Sequence, residues 1–265
     1  MRSFWRNDSA PLHSHAAWSA RLDRKNRRPG TSAPTLAAVW AGPVELFGAL
    51  HRQPALLGLV IDDVVVEGQS AVDEFSGPRN HDLVIRGHLA NGERAVVCVE
   101  AKAGEDFGPT VARQAKAAAA IKAKADDATK SGKLTTSNAP ARLEGLLKRF
   151  VPYPAAEQRV QDLRYQLLTA LAGTLSEAKD HAACHAVLMV HEFLTDQRHD
   201  ERIIEEHDRD LWNFCTTVFD FEPPGRQHIP WCVQVPEDIG DLKLYLARAV
   251  TDLRAITLER NTTGA

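Results

Sequence analysis

The chain has 265 residues, of which 44% are hydrophobic and 25% are charged, a composition typical of a globular protein with a sizeable core. Its formal net charge of -3 excludes a general attraction for nucleic acid, so binding to DNA would need a local basic surface. No apolar run approaches the roughly 18 residues that a membrane-spanning helix needs, and no N-terminal stretch has a signal-peptide layout. Four scattered cysteines without a Cys-x-x-Cys pair favour reduced thiols, so we expect a cytoplasmic protein with no membrane association.

The first part of the chain begins with a polar stretch and continues with helical and strand patterns. We expect an N-terminal arm at residues 1–34, a single domain at 35–255 and a frayed tail at 256–265. Apolar stripes and a valine run then predict two helices and a first strand: Ala33–Trp40, Pro43–His51 and a strand within Leu56–Glu74.

The stretch from His81 to Gly108 predicts a hairpin of two strands, around which the rest of the chain is organised. Asp82–Ile85 forms the first strand, and the dipeptide Asn91-Gly92 supplies a turn that tolerates positive φ. Ala95–Val99 forms the second strand, whose continuous apolar run is typical of a central strand buried on both faces.

The second strand of this hairpin ends in charged residues. Side chains alternate along a strand, so Glu100 and Lys102 are expected on one face, which Asp82 can also reach. Two buried carboxylates and an ammonium are costly without partners. Carboxylate oxygens suit Mg²⁺, with the carbonyl of Ala101 as a further ligand, and Lys102 could hold an attacking water.

At these residues the chain resembles the PD-(D/E)XK nuclease superfamily, which has the restriction-endonuclease-like fold. Asp82 matches the first acidic position and Glu100-Ala101-Lys102 matches the E-x-K motif. The proline that often precedes the acid is displaced, because Pro78 lies four residues upstream. The resemblance covers about Leu46 to Ala170. The alternative interpretation is a surface salt-bridge cluster at a strand end.

The remaining patterns predict alternating helices, loops and strands. They are a helix at Val111–Lys124, a polar loop at Asp126–Pro140, helices at Ala141–Phe150 and Gln158–Lys179, a strand at Ala186–Phe193, a helix at Asp200–Val218, and late segments at Pro230–Val235 and Leu242–Ala249 that are two strands or a strand and a helix. The fold class is α/β with a mixed central sheet flanked by helices, and the resemblance implies a restriction-endonuclease-like core.

Several further polar residues are candidates for the site. The resemblance implies a Gln or a basic residue on the helix after the E-x-K helix. Arg164 and Gln166 would lie on different faces of that helix, so at most one can face the site, and Gln166 is favoured. Glu67 and Glu74 are candidate extra acids, whereas Glu45 is expected to be an exposed charge. Arg79 and His81 flank Asp82 and could contact phosphate or order it, and for His81 a structural hydrogen bond remains equally open.

The resemblance implies an Mg²⁺-dependent endonuclease acting on DNA in defence against foreign DNA or in repair, with Mn²⁺ as a substitute. Asp82, Glu100, Lys102 and Gln166 would be catalytic, and Asp82, Glu100 and Ala101 would bind the metal. Expected partners are DNA, a second copy of the chain and other defence proteins. Two alternatives stay open: a catalytically silent nuclease-fold subunit that binds nucleic acid or a protein, and a metal-dependent hydrolase of small phosphate esters.

Overall fold

The computed structural model describes residues 5–7, 10–11, 32, 35–36, 44–75, 77–130, 137–195, 201–223, 231–233 and 240–254, with backbone alone at 5–7, 10–11, 44–47 and 126–130. The helices are α1 (Val44–His51), α2 (Val111–Lys130), α3 (Ala139–Phe150), α4 (Gln158–Gln161), α5 (Tyr165–Asp180) and α6 (Glu201–Phe219). The strands are β1 (Trp5–Asn7), β2 (Ala10–Pro11), β3 (Val60–Ser70), β4 (Arg79–His88), β5 (Arg94–Lys102), β6 (His185–Leu194), β7 (Trp231–Val233) and β8 (Lys243–Asp252).

The strands form one mixed sheet in the order β2-β1-β3-β4-β5-β6-β8-β7. The central strands β3, β4 and β5 are antiparallel neighbours, and β5, β6 and β8 run parallel to one another. This arrangement confirms the prediction of an α/β fold with a mixed central sheet flanked by helices. It brings the start of β4 and the ends of β5 and β6 to one edge of the sheet.

Strand β5 lies at the centre of the sheet and is buried on both faces, as its apolar run predicts. On one face Val97 and Val99 pack in a core with Leu50 of α1. On the other face Val96 and Cys98 are buried, and α5 contacts this strand. The charged end of β5 therefore continues from a strand that is buried from Ala95 onward. None of the described helices is long and apolar enough to span a membrane.

The predicted helix Gln158–Lys179 is wrong near its start, because the structure interrupts it at residues 162–164, between α4 and α5. Arg164 is extended (φ -78°, ψ 120°) and forms a β-bridge with Thr110. The amide of Tyr165 also donates to the Pro109 carbonyl at 3.1 Å. These contacts between distant segments override local helix propensity, and they leave Arg164 outside α5.

The other predicted elements agree with the structure with shifted ends. Helix α2 extends to Lys130, so the first part of the predicted loop Asp126–Pro140 is helical. Both late segments contain strands, and part of the predicted arm contributes β1 and β2 to the sheet. Most of the helix predicted at 33–40 and the tail at 256–265 lie outside the described residues, as does the side chain of Glu45.

Gly87 in β4 gives a test of the sheet packing. A Cβ at this position would lie 2.2 Å from the Val60 carbonyl oxygen, which belongs to the backbone of the neighbouring strand and has little room to move. We expect Gly87→Ala to lower the free energy of unfolding by about 3 kcal/mol. Denaturation followed by circular dichroism measures the change.

Gly145→Ala is the matched control for this substitution. A Cβ there meets nothing within 4 Å, and the residue is exposed in α3. The alanine should raise stability by up to about 1 kcal/mol, since glycine is a poor helix former. Equal effects of the two substitutions would contradict the described contact between β3 and β4.

Candidate functional site

The candidate site lies where β4 and β5 separate at the edge of the sheet. Their last ladder pair is Leu83 with Val99. Beyond this pair the backbone amide of Ala101 donates to Asp82 Oδ2 at 2.7 Å, so a side chain replaces the next backbone bond. Because a strand residue directs its N–H and C=O to the same side, the Ala101 carbonyl also faces the Asp82 edge.

The alternation of side chains along β4 shifts by one residue near Asp82. Arg79 contacts Thr169 of α5, and Arg86, an odd number of positions later, contacts Glu177 of the same helix. The shift coincides with Glu67 on β3, which faces this part of β4 and has a positive φ of 52°. Asp82 consequently turns along the sheet toward β5. In this position Asp82 lies close enough to Glu100 and Lys102 for their charges to act on its pKa.

The carboxylate of Glu100 is the centre of the site and is only 2% exposed. Its Oε1 accepts a hydrogen bond from Lys102 Nζ at 2.9 Å and another from the Gln166 amide. Its Oε2 accepts from Arg79 Nη2, and Nη1 of the same guanidinium donates to Thr169 Oγ1 at 2.9 Å. Glu100 therefore has two cationic partners and one neutral partner.

Lys102 is held by polar and aromatic contacts. Its Nζ donates to Gln166 Oε1 at 3.1 Å in addition to the bond with Glu100. The same nitrogen lies 5.3 Å from the centre of the Phe107 ring, within the range of a cation–π interaction. Gln166 bridges the lysine and the carboxylate, so the structure brings Glu100, Lys102 and Gln166 together. Arg164, the less favoured candidate, instead donates to the Gly108 carbonyl at 2.7 Å.

The two carboxyl groups have opposite pKa shifts. Burial tends to raise the pKa of Glu100, but Arg79 and Lys102 hold it below its usual value, so this carboxylate stays ionised. The pKa of Asp82 is raised to about 8, first by burial and then by the charge of Glu100. Glu67 raises it further, whereas Lys102 opposes the shift. Among the described residues no cation contacts Asp82, whereas Arg79 and Lys102 both contact Glu100.

His81 is completely buried next to the site and packs against Gly173 of α5. Neither ring nitrogen makes a well-formed hydrogen bond among the described residues, although the Gly173 backbone lies beside the ring. Burial and the nearby Arg79 lower the pKa of His81 to about 3. The imidazole is therefore neutral at physiological pH.

A second buried network supports the loop that carries Phe107. Glu192 of β6 pairs in register with Lys102 and accepts from Arg248 Nη2 at 2.7 and 2.9 Å. Its Oε1 also lies 3.1 Å from Nδ1 of His207 on α6, while Nε2 of His207 lies 2.9 Å from the Glu105 carbonyl. The His207 ring packs against Phe107 at 4.8 Å. This network fixes the ring over which the lysine lies.

The sequence indicates the presence of these groups but not their pairing. The sequence predicts that Arg79 could contact phosphate or order Asp82, whereas in the structure it contacts Glu100, 21 residues away in the chain. Thr169 and the Glu192–His207–Arg248 network were not predicted, since nothing local in the sequence connects them to the site. Glu74 is exposed in the loop before β4.

We call the place where β4 and β5 separate, with Asp82, Glu100, Ala101 and Lys102, the fork. These residues fit a metal site with few protein ligands. No group of three or more His, Cys, Asp or Glu side chains in the described part of the chain could hold a metal ion. Mg²⁺ is commonly held by one or two carboxylates, with waters and substrate oxygens as the other ligands. Asp82 and Glu100 can provide such a pair, with the Ala101 carbonyl beside them. The missing positive partner of Asp82 is consistent with that use.

The site falls within a region that matches a known family model. The model is described as domain of unknown function (DUF6946), and it matches residues 11–252. The chain belongs to this family. No curated protein and no solved structure gave a match. The matched region includes β4, β5 and α5, so the whole fork is part of the family's domain.

The raised pKa of Asp82 predicts a stability change that depends on pH. Its ionisation destabilises the fold little below its ordinary pKa of 3.8 and fully above about 8. Asp82→Asn, measured with a chelator, should therefore stabilise the protein more near pH 8.5 than near pH 4.5. Urea denaturation at both pH values measures this difference.

Asp162→Asn serves as the control for this prediction, because Asp162 is exposed. Its effect on the unfolding free energy should be small at both pH values. An Asp82→Asn effect that is the same near pH 4.5 and pH 8.5 would contradict the raised pKa of the Asp82 carboxyl group.

Proposed function

We propose that this protein is a metal-dependent endonuclease that hydrolyses DNA phosphodiester bonds. The observation that carries the proposal is the cluster of buried Glu100 and Lys102 with half-buried Gln166 at the fork where Asp82 also lies. The PD-(D/E)XK resemblance adds support, and a restriction-endonuclease-like core is part of the proposal. The mixed sheet and the helix that supplies Gln166 are compatible with that core.

Each residue of the fork has a role in the proposed reaction. Asp82 and Glu100 would hold Mg²⁺, with the Ala101 carbonyl as a further ligand. A bound Mg²⁺ would supply Lewis-acid stabilisation of the charge that develops on the phosphate. Lys102 would orient the attacking water, because its ammonium is held by Glu100 and Gln166 in a fixed position. Gln166 would position Lys102 rather than act on the substrate itself.

The proposal includes a setting for this activity. We infer a cytoplasmic protein, which is supported by the free thiols of all four cysteines. Action on foreign DNA or in repair, a homodimeric state and partner proteins of a defence system follow from the resemblance alone. A net charge of -3 requires the DNA-contacting surface to be locally basic.

A catalytically silent nuclease-fold subunit is the second candidate, and the contacts of Glu100 favour it. Both of its oxygens already accept hydrogen bonds, and Arg79 and Lys102 neutralise its charge. The charge of Glu100 is therefore compensated by side chains of the protein itself. This candidate predicts binding to nucleic acid or to a protein without cleavage.

Cleavage assays on plasmid, linear and single-stranded DNA test the proposed activity. With Mg²⁺ or Mn²⁺ the wild-type protein should cut at least one substrate, and a chelator should abolish the cutting. Lys102→Ala should lower the rate at least about 100-fold, since it removes the group that orients the water. Gel electrophoresis of the products measures the rate.

Lys148→Ala, an exposed substitution on α3, controls for loss of a lysine and should cut like the wild type. DNA that is bound but not cut under every condition would contradict the proposed activity and favour the silent subunit. Equal rates for wild type and Lys102→Ala would show that the cutting comes from a different site or from a contaminant.

A further inference from the structure

Arg79 occupies the side of Glu100 that a metal ion would need. Oε1 of Glu100 is used by Lys102 and Gln166, and Oε2 is used by the Arg79 guanidinium. A divalent cation that binds Glu100 must approach one of these oxygens. A guanidinium in direct contact with the same carboxylate blocks that approach and repels the ion.

The contacts of Arg79 leave part of its hydrogen-bonding capacity unused. Its side chain is 9% exposed, with Nη1 on Thr169 and Nη2 on Glu100. Its buried Nε has no hydrogen-bond partner among the described residues. An unpaired buried donor is unfavourable, so this arrangement is not the best one available to the guanidinium. The Nε and Nη2 edge of an arginine is suited to a bidentate contact with a phosphate.

We propose that Arg79 is an exchangeable counter-ion, which holds Glu100 when the site lacks metal and moves to the substrate phosphate when a divalent cation binds. The proposal rests on the proposed function, because it assigns a role within the same site. Arg79 is the first residue of β4, so its side chain lies at the end of the strand and beside the site. Metal and phosphate binding would then favour each other.

Mn²⁺ binding to the intact protein without DNA tests the first half of the exchange. Electron paramagnetic resonance of free Mn²⁺ gives the dissociation constant for wild type, Arg79→Gln and Arg79→Lys. We expect Arg79→Gln to bind Mn²⁺ about tenfold more tightly than wild type, because the competing charge is gone. Arg79→Lys keeps the charge and should stay close to wild type. Circular dichroism confirms that each variant is folded.

Arg86→Gln is the matched control. Arg86 lies on the same strand and binds the carboxylates of Glu177 and Asp63, away from Glu100. Its substitution should leave the Mn²⁺ affinity unchanged. If Arg86→Gln also bound Mn²⁺ more tightly, the loss of any nearby positive charge would explain the effect. That result would overturn a specific role of Arg79.

Sulfate, as a mimic of the phosphate group, tests the second half. Sulfate should tighten Mn²⁺ binding to wild type relative to chloride at equal ionic strength, because it would bind the Arg79 guanidinium once the metal has displaced it from Glu100. This effect should disappear in Arg79→Gln. Sulfate enhancement that persists in Arg79→Gln would overturn the movement of Arg79 to phosphate.

The outcomes separate this inference from the proposed function. Mn²⁺ affinity that is equal or weaker in Arg79→Gln, with wild type binding the ion, would overturn the exchange and leave the endonuclease proposal intact. Binding by Arg79→Gln but not by wild type would support the blocking role and favour a silent wild-type protein. Absence of binding in both folded proteins would overturn the metal site and the exchange together.

Discussion

The buried carboxylate of Glu100 is the constraint on which the rest of the site depends. A charge that is 2% exposed at the end of the central strand is highly unfavourable unless partners surround it. Three elements provide these partners: Arg79 lies on β4, Lys102 lies on β5 beside Glu100, and Gln166 lies on α5. The positions of the β4 start and of α5 relative to β5 are fixed together by this one group.

The surroundings of Asp82 differ from those of Glu100. The carboxylate of Asp82 accepts a hydrogen bond from the Ala101 amide at the point where the β4–β5 ladder ends. No cation contacts it among the described residues, and burial raises the pKa of its carboxyl group. The site thus combines one neutralised carboxylate with one that lacks a positive partner. Active sites often contain such pairs, because burial and neighbouring charges are used there to separate pKa values. A divalent cation at the fork would relieve the unfavourable ionisation of Asp82.

The sheet and the E-x-K strand could be predicted from the sequence, because their information is local. The valine run at residues 95–99 and the turn at Asn91-Gly92 define the hairpin, and strand alternation places Glu100 and Lys102 on one face. The direction of Asp82 could not be predicted, since it depends on the shift beside Glu67, a residue whose type gives no sign of positive φ. The break at Arg164 depends on a bridge to Thr110, 54 positions earlier. The contact of Arg79 with Glu100 likewise joins residues from different strands.

The most direct test of the account is the location of a bound divalent cation. Crystals soaked in Mn²⁺ and measured at the manganese absorption edge give an anomalous map that identifies the ion without reference to activity. We predict a peak at the fork, about 2.1 Å from carboxylate oxygens of Asp82 and Glu100, with Arg79 displaced from Glu100. A fork that stays without a peak at saturating Mn²⁺, with the Arg79–Glu100 contact intact, would contradict it.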